Sequence, residues 1–251
     1  MLMVIQLAVN GSRSRAEHPA VPLTPAEIAA DATAAHRVGV RAVHVHPRDA
    51  NGEQTLDAAV VIEVLSRIRE SSSIAVGFTT QQGIVPDLGS RLELIRAWPR
   101  VDFASVNVSE AGWRQVAEVL LQAGSGIEAG VWSEADADAL ADSGLAHSVS
   151  RVLVEPIETS SRDALARIAA IHERLDRLGI SAPRLQHTED ESGWAVIEDA
   201  LRHGHQTRVG LEDELTLPDG SVPADNAALV AAAVALRPDQ ESRVQPRSDA
   251  R

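Results

Sequence analysis

Thr24-Pro25-Ala26-Glu27 opens an Ala-rich helical stretch, and Ala42-Val43-His44-Val45-His46 follows it as an alternating strand that ends in two histidines. The opening combines a capping box, Thr24 with Glu27, with proline at the first helical position, where the missing N–H would have had no helical partner anyway. Helix followed by short apolar strand is one step of a βα repeat, and working outward from it finds the same alternation in both directions. Strand candidates are Val4–Val9, Ala42–His46, Ile74–Thr79, Phe103–Asn107, Ile127–Val131, Val152–Glu155, Arg184–His187 and Thr207–Leu211. A helical stretch follows each, and Ser133-Glu134-Ala135-Asp136 supplies one of them with an acidic first turn. Eight such units in 251 residues predict an α/β protein with a single (β/α)8 TIM barrel over 1–237, rather than a doubly wound sheet. The polar, proline-bearing stretch 238–251 is expected to be poorly ordered or to lie across a neighbouring subunit.

Composition narrows the chemistry. Lys, Cys and Tyr are absent, so all 23 basic residues are arginine. That excludes Schiff-base catalysis, a phosphate-loop lysine, a thiol nucleophile and thiolate metal sites, leaving His, Asp, Glu, Ser, Thr and Arg, with or without a metal. A formal charge of −13 repels polyanions, so neither nucleic acid nor an anionic membrane surface is expected as a partner. No apolar run reaches the roughly 18 residues of a membrane span and the start carries no basic leader, which reads as a cytoplasmic protein.

In a barrel of this kind the chemistry stands at the C-terminal ends of the strands. Those positions read Asn10, His44 and His46, Thr79 and Thr80, Asn107 with Glu110, Glu128, Glu155, His187, and Arg208 with Glu212 and Asp213. His44 and His46 lie two apart on a strand and so face the same way, into the barrel mouth. Alone, such a pair is as readily two hydrogen-bonded core histidines as a metal site. Glu212 tips the balance, because the eighth strand of a closed barrel lies beside the first and close to the second. Two imidazoles and one carboxylate with an open fourth position describe a catalytic Zn2+ site.

His44-Val45-His46-Pro47-Arg48-Asp49, Gly210-Leu211-Glu212-Asp213 after Arg208, and Ala8-Val9-Asn10-Gly11 ahead of Pro19-Ala20-Val21-Pro22-Leu23-Thr24-Pro25 together resemble the β-keto acid cleavage enzymes. The resemblance runs from residue 5 to about residue 236. It implies a zinc-dependent barrel, usually a homotetramer, that condenses a small β-keto acid with acetyl-CoA as co-substrate and releases acetoacetate and a new acyl-CoA. By the same resemblance His44, His46 and Glu212 are the zinc ligands, Asp213 the catalytic base, Arg208 its partner, and Thr79 a contact to the substrate carboxylate end. Thr80, Asn107, Glu110, Glu128, Asn10 and Arg13 complete the expected substrate-binding set.

Departures from the family pattern bear on the substrate. Arg13 stands where the aminohexanoate-cleaving member of the family has an acidic residue, and is expected to disfavour a cationic side group. Thr79-Thr80-Gln81-Gln82 replaces a strand end that reads Ser/Thr-Thr-Gly, and Glu110 offers a different polar contact. Glu212 and Asp213, read as consecutive residues of an extended segment, are expected to point in opposite directions. The rival reading is a barrel metallohydrolase of the amidohydrolase type, which also uses His-x-His but needs further ligands from the middle strands. Gly124-Ser125-Gly126 reads as a tight turn, and Asp136, Asp138 and Asp142 as a solvated helix face rather than a calcium loop.

Overall fold

A computed structural model describes residues 5–157 and 160–237; the 238–251 tail lies outside the described residues. Eight strands, β1 (Ile5–Ala8), β2 (Ala42–Val45), β3 (Ala75–Thr79), β4 (Phe103–Asn107), β5 (Gly126–Val131), β6 (Arg151–Val154), β7 (Arg184–Gln186) and β8 (Gln206–Val209), alternate with eight helices. The helices are α1 (Pro25–Arg37), α2 (Ala58–Ser71), α3 (Leu88–Arg96), α4 (Trp113–Gln122), α5 (Glu134–Asp142), α6 (Ser161–Arg177), α7 (Gly193–His203) and α8 (Asn226–Ala235). The strands pair in parallel in sequence order and the ring closes where β1 meets β8, with Gln6 opposite Arg208. This is the expected (β/α)8 barrel. No helix among the described residues is long and apolar enough to cross a membrane.

The helix starts follow from local chemistry. Thr24 and Glu27 form the reciprocal box before α1, with Pro25 in its first turn. Ser133 and Asp136 do the same before α5, and Asp138 of that helix pairs with Arg174, so two of the three aspartates read as a helix face serve as a cap and in an ion pair. Alternation along each strand sends one set of side chains outward to the helices. Ile5, Leu7, Val43, Val45, Val76 and Phe78 pack there against Ile28 of α1 and Val61, Val64 and Ile68 of α2, all fully or almost fully buried. Each such side chain stabilises the fold by roughly 1.5 to 3 kcal/mol relative to exposure.

The other set points into the barrel, where a polar layer lies among apolar neighbours. Gln6 Nε2 donates to Glu128 Oε1 at 3.0 Å, Arg151 pairs with the same carboxylate, and Arg151 also reaches the Gln206 amide oxygen. This corrects the placement of Glu128. It sits in the first half of β5, not at its end, and bonds within the barrel interior rather than facing a ligand. The strand end belongs instead to Trp132.

Candidate metal and active site

His44 is carried by β2 and His46 stands just beyond it. Asn10, expected to touch substrate, instead fixes this backbone: its Nδ2 donates to the carbonyls of Pro22 and His46 at 3.0 and 2.9 Å, and the His46 N–H donates to its Oδ1 at 3.0 Å. His46 Nδ1 is bonded to Gln54 Oε1, which turns Nε2 toward the barrel axis. There both Nε2 atoms face Glu212 Oε1, at 3.8 Å from His44 and 3.5 Å from His46. These separations are long for hydrogen bonds but close to the roughly 3.3 Å edge of a tetrahedron whose metal–ligand bonds are about 2.0 to 2.1 Å.

The residues fit a divalent ion in other respects. Glu212 Oε2 and His44 Nδ1 are buried with no hydrogen-bond partner. Burial drives the His44 pKa well below the usual histidine range, leaving the neutral imidazole that binds metals. Burial alone would raise Glu212, yet Arg208 and the two histidines hold it well below the ordinary carboxylate range. Among the described residues His44, His46 and Glu212 are the group that could hold a metal, with ligand atoms all within 4.8 Å of one another.

Glu212 reaches this position because its neighbours leave room. Gly11 has φ +49° and a Cβ there would lie 2.3 Å from Glu212 Cγ; at Gly210 a Cβ would lie 1.9 Å from the Ala8 carbonyl oxygen. Asn226, at the start of α8, accepts from the Leu211 N–H at 2.8 Å and donates to the Val9 carbonyl at 3.0 Å, tying the turn after β8 to the end of β1. Arg13 ties a third segment to the same turn: its Nε donates to the Glu212 carbonyl at 3.2 Å, and its other nitrogens pair with Glu17 and Asp190. Its charge therefore neutralises carboxylates in a clamp, and the expectation that it opposes a cationic substrate group loses its ground.

β8 ends at Val209, and residues 211–213 form a turn. The expectation of opposed side chains at Glu212 and Asp213 therefore fails: the turn brings both onto Arg208. Arg208 Nε donates to Asp213 Oδ2 at 2.9 Å, and its Nη2 donates to Asp213 Oδ1 at 2.7 Å and Glu212 Oε1 at 2.9 Å. Burial works against the Arg208 charge, but Asp213 and Glu212 overcome it and raise its pKa. For Asp213 burial prevails over Arg208 and His187, and its pKa is raised. Asp213 lies beside the cavity, against Arg208, with the His187 Nδ1 atom 3.8 Å from its Oδ1.

These groups border a cavity of about 520 Å3 at the C-terminal end of the barrel. Six of the expected site residues line it: His44, His46, Thr79, Asn107, Arg208 and Glu212. Thr80 and Glu110 stand back as braces. Thr80 Oγ1 donates to the Ser105 carbonyl at 2.7 Å, and Glu110 accepts from Asn107 Nδ2, the Gln82 N–H and the buried Arg91. Among the lining residues not expected from the sequence are Trp132 and, after β7, Glu189, Asp190 and Glu191. The signals were a tryptophan immediately after a strand in a chain with only four, and the acidic run Glu189-Asp190-Glu191 one residue beyond His187.

The family model described as beta-keto acid cleavage enzyme matches residues 3–251. The 3-keto-5-aminohexanoate cleavage enzyme of Fusobacterium nucleatum is 33% identical over 94 residues, a match covering 34% of this chain and 35% of that protein. The chain thus spans about a third of the curated relative's length in that match. Among solved structures, the ternary complex of ObcA with C4-CoA adduct and oxalate superposes with a TM-score of 0.71 at 15% identity, covering 86% of this chain and 63% of that one. The 3-dehydroquinate dehydratase of Geobacillus kaustophilus superposes with a TM-score of 0.61 at 13% identity, covering 97% and 93%. At such identities the superpositions speak for the barrel alone. With the match of the family model along nearly the whole chain, the chain belongs to the β-keto acid cleavage enzyme family.

Proposed function

We propose that the chain is a zinc-dependent enzyme that condenses a β-keto acid with acetyl-CoA and releases acetoacetate and a new acyl-CoA. The observation that carries this reading is the meeting of His44, His46 and Glu212 with the Arg208–Asp213 pair at one cavity. When bound, the zinc ion supplies Lewis acidity toward the substrate's oxygens. Asp213 takes the proton from the carbon between keto and carboxylate groups, and Arg208 holds that carboxylate in place while it does so. Each Asp213 oxygen keeps a lone pair beyond those given to Arg208, so the pairing leaves it able to accept a proton. Thr79 contacts the carboxylate end of the substrate, and Asn107 lines the same cavity.

The amidohydrolase-type reading draws less support. It needs ligands from the middle strands, but Glu128 bonds Gln6 and Arg151, and Glu155 bonds Trp132 and His187. A homotetramer, by the family pattern, and a place in the cytoplasm complete the proposal. The test is a panel of β-keto acids incubated with acetyl-CoA and assayed for acetoacetate, together with metal analysis of His44→Ala and His46→Ala. Acetoacetate that requires acetyl-CoA, and zinc near one per chain that falls in both variants, is the expected result. Turnover without acetyl-CoA, or wild-type zinc in either variant, overturns the reading.

A further inference from the structure

One buried group at the cavity has no part in the scheme above. His187 follows β7 and is 4% exposed, and it borders the cavity between two carboxylates. Its Nε2 meets Glu155 Oε2 at 2.8 Å, while Glu155 Oε1 accepts from Trp132 Nε1 at 2.8 Å. Burial alone would raise the Glu155 pKa, but its bonds and the charges around it lower it, so the group is a carboxylate that can only accept. His187 Nε2 therefore carries a hydrogen. Its Nδ1 is different: it is buried, has no hydrogen-bond partner, and lies 3.8 Å from Asp213 Oδ1. A buried ring nitrogen left unpaired beside a cavity is costly unless a ligand completes it.

We propose that His187 is a catalytic residue of the thioester half of the reaction, giving a hydrogen bond from Nδ1 to the carbonyl oxygen of the acetyl thioester. The inference rests on the proposed Claisen chemistry. In that step the substrate carbon deprotonated by Asp213 forms a bond to the thioester carbonyl carbon, and the carbonyl π pair moves onto oxygen. That oxyanion needs a donor. Arg208 directs its Nε and Nη2 to Asp213 and Glu212, whereas His187 Nδ1 is unengaged. When the oxyanion collapses, the carbon–sulfur bond breaks and CoA leaves as thiolate. The thiolate then adds to the original keto carbon, the carbon–carbon bond beside it breaks, and the acetoacetate enolate recovers its proton from Asp213. Glu155 and Trp132 fix the orientation of the ring, with Nε2 on Glu155 and Nδ1 on the side of Asp213.

The two amides that mimic an imidazole separate this role from a structural one. The nitrogen of Gln at position 187 overlays Nε2 and keeps the Glu155 bond while losing the cavity donor; that of Asn overlays Nδ1 and does the reverse. His187→Gln should lower acetyl-CoA-dependent acetoacetate formation by roughly 10²-fold or more, the scale for removing one oxyanion donor, and His187→Asn should recover most of the loss. Both should keep wild-type zinc content, and exchange of the β-keto acid C2 hydrogens in deuterium oxide without acetyl-CoA should fall far less than condensation, since Asp213 carries out enolisation. Equal losses in the two variants, or exchange that falls in parallel with condensation, overturns the assignment of His187. Wild-type protein that exchanges C2 hydrogens but makes no acetoacetate overturns the Claisen reading itself, which keeps the two failures apart.

Discussion

Replacing Gly11 by alanine tests how the metal carboxylate is placed. The backbone there has φ +49°, a conformation that costs an L-residue about 1 to 2 kcal/mol. The new Cβ would also lie 2.3 Å from Glu212 Cγ and 3.0 Å from its Cβ and Cδ, against about 3.5 to 4.0 Å for relaxed carbon contacts. Glu212 must therefore move by more than about 1 Å, and it cannot swing freely because Oε1 is held by Arg208 at 2.9 Å. Metal sites tolerate about 0.2 Å in their bond lengths, so zinc affinity should fall at least tenfold, and on the order of a hundredfold if the carboxylate leaves the set. The control is Gly144→Ala, where φ is +77° and no atom lies within 4 Å of the added carbon. Both variants should lose a few degrees of apo-protein melting temperature from the backbone cost, but only Gly11→Ala should lose zinc in a competition titration against a chromophoric chelator. Equal zinc affinities in the two variants would show that Glu212 does not hold the ion through this contact.

Two further outcomes are expected. Asp213→Asn should keep zinc and lose turnover by roughly 10²-fold or more, whereas Glu212→Gln should lose zinc and regain part of its activity when Zn2+ is added; zinc content beside kcat distinguishes them, and the reverse pattern would exchange the two roles. Burial raises Asp31, which accepts from Asn226 Nδ2 at 2.7 Å, to a pKa of about 6. A folded-state pKa above the unfolded value gives stability that is full below about pH 4 and lost as pH rises through about 6, because the native carboxyl keeps a proton the unfolded chain has released. Asp31→Asn should thus be more stable than the parent at pH 7.5 by about 1 to 3 kcal/mol in urea unfolding of the apo-protein, with the gap closing toward pH 4; a gap that widens on acidification would contradict the burial argument.

The parts legible in the sequence are those set by local periodicity. The alternation of β2 sends His44 and His46 to one side whatever surrounds them, and Thr24 to Glu27 must start a helix because the capping groups lie within one turn. Strand ends were legible to within a residue or two, and the end of β5 at Val131 to the residue; Glu128 was misplaced because it was grouped with the strand ends although it lies near the start of that strand. A glutamate at the third residue of a six-residue strand lies about 10 Å below the strand's end, by about 3.3 Å per residue, and falls inside the barrel rather than at its mouth. Period two could not show that the chain turns after Val209. Once it turns, Glu212 and Asp213 share Arg208 instead of facing apart.

What the sequence hides is the pairing of charges far apart along the chain, and here it alters the expected substrate preference. Arg13 reads as a cation at a strand end, but it is joined to Asp190 across 177 positions and to Glu17 nearby, and its Nε is occupied by the Glu212 carbonyl. Across the cavity, Glu155 and Glu189 line the wall with Trp132 between strands β5 and β6. Burial raises Glu189, with Asp213 and Glu212 adding to the effect, so its charge is the less secure of the two, whereas Glu155 is held ionised by its partners. Among the described residues Arg208 is the one arginine on the cavity lining, and it is balanced by Glu212 and Asp213. A positive side group on the substrate would therefore meet a neutralised arginine clamp and a carboxylate wall. The repulsion expected from a bare Arg13 is absent, because complementarity depends on the charges left after internal pairing and not on the residues a strand end spells out.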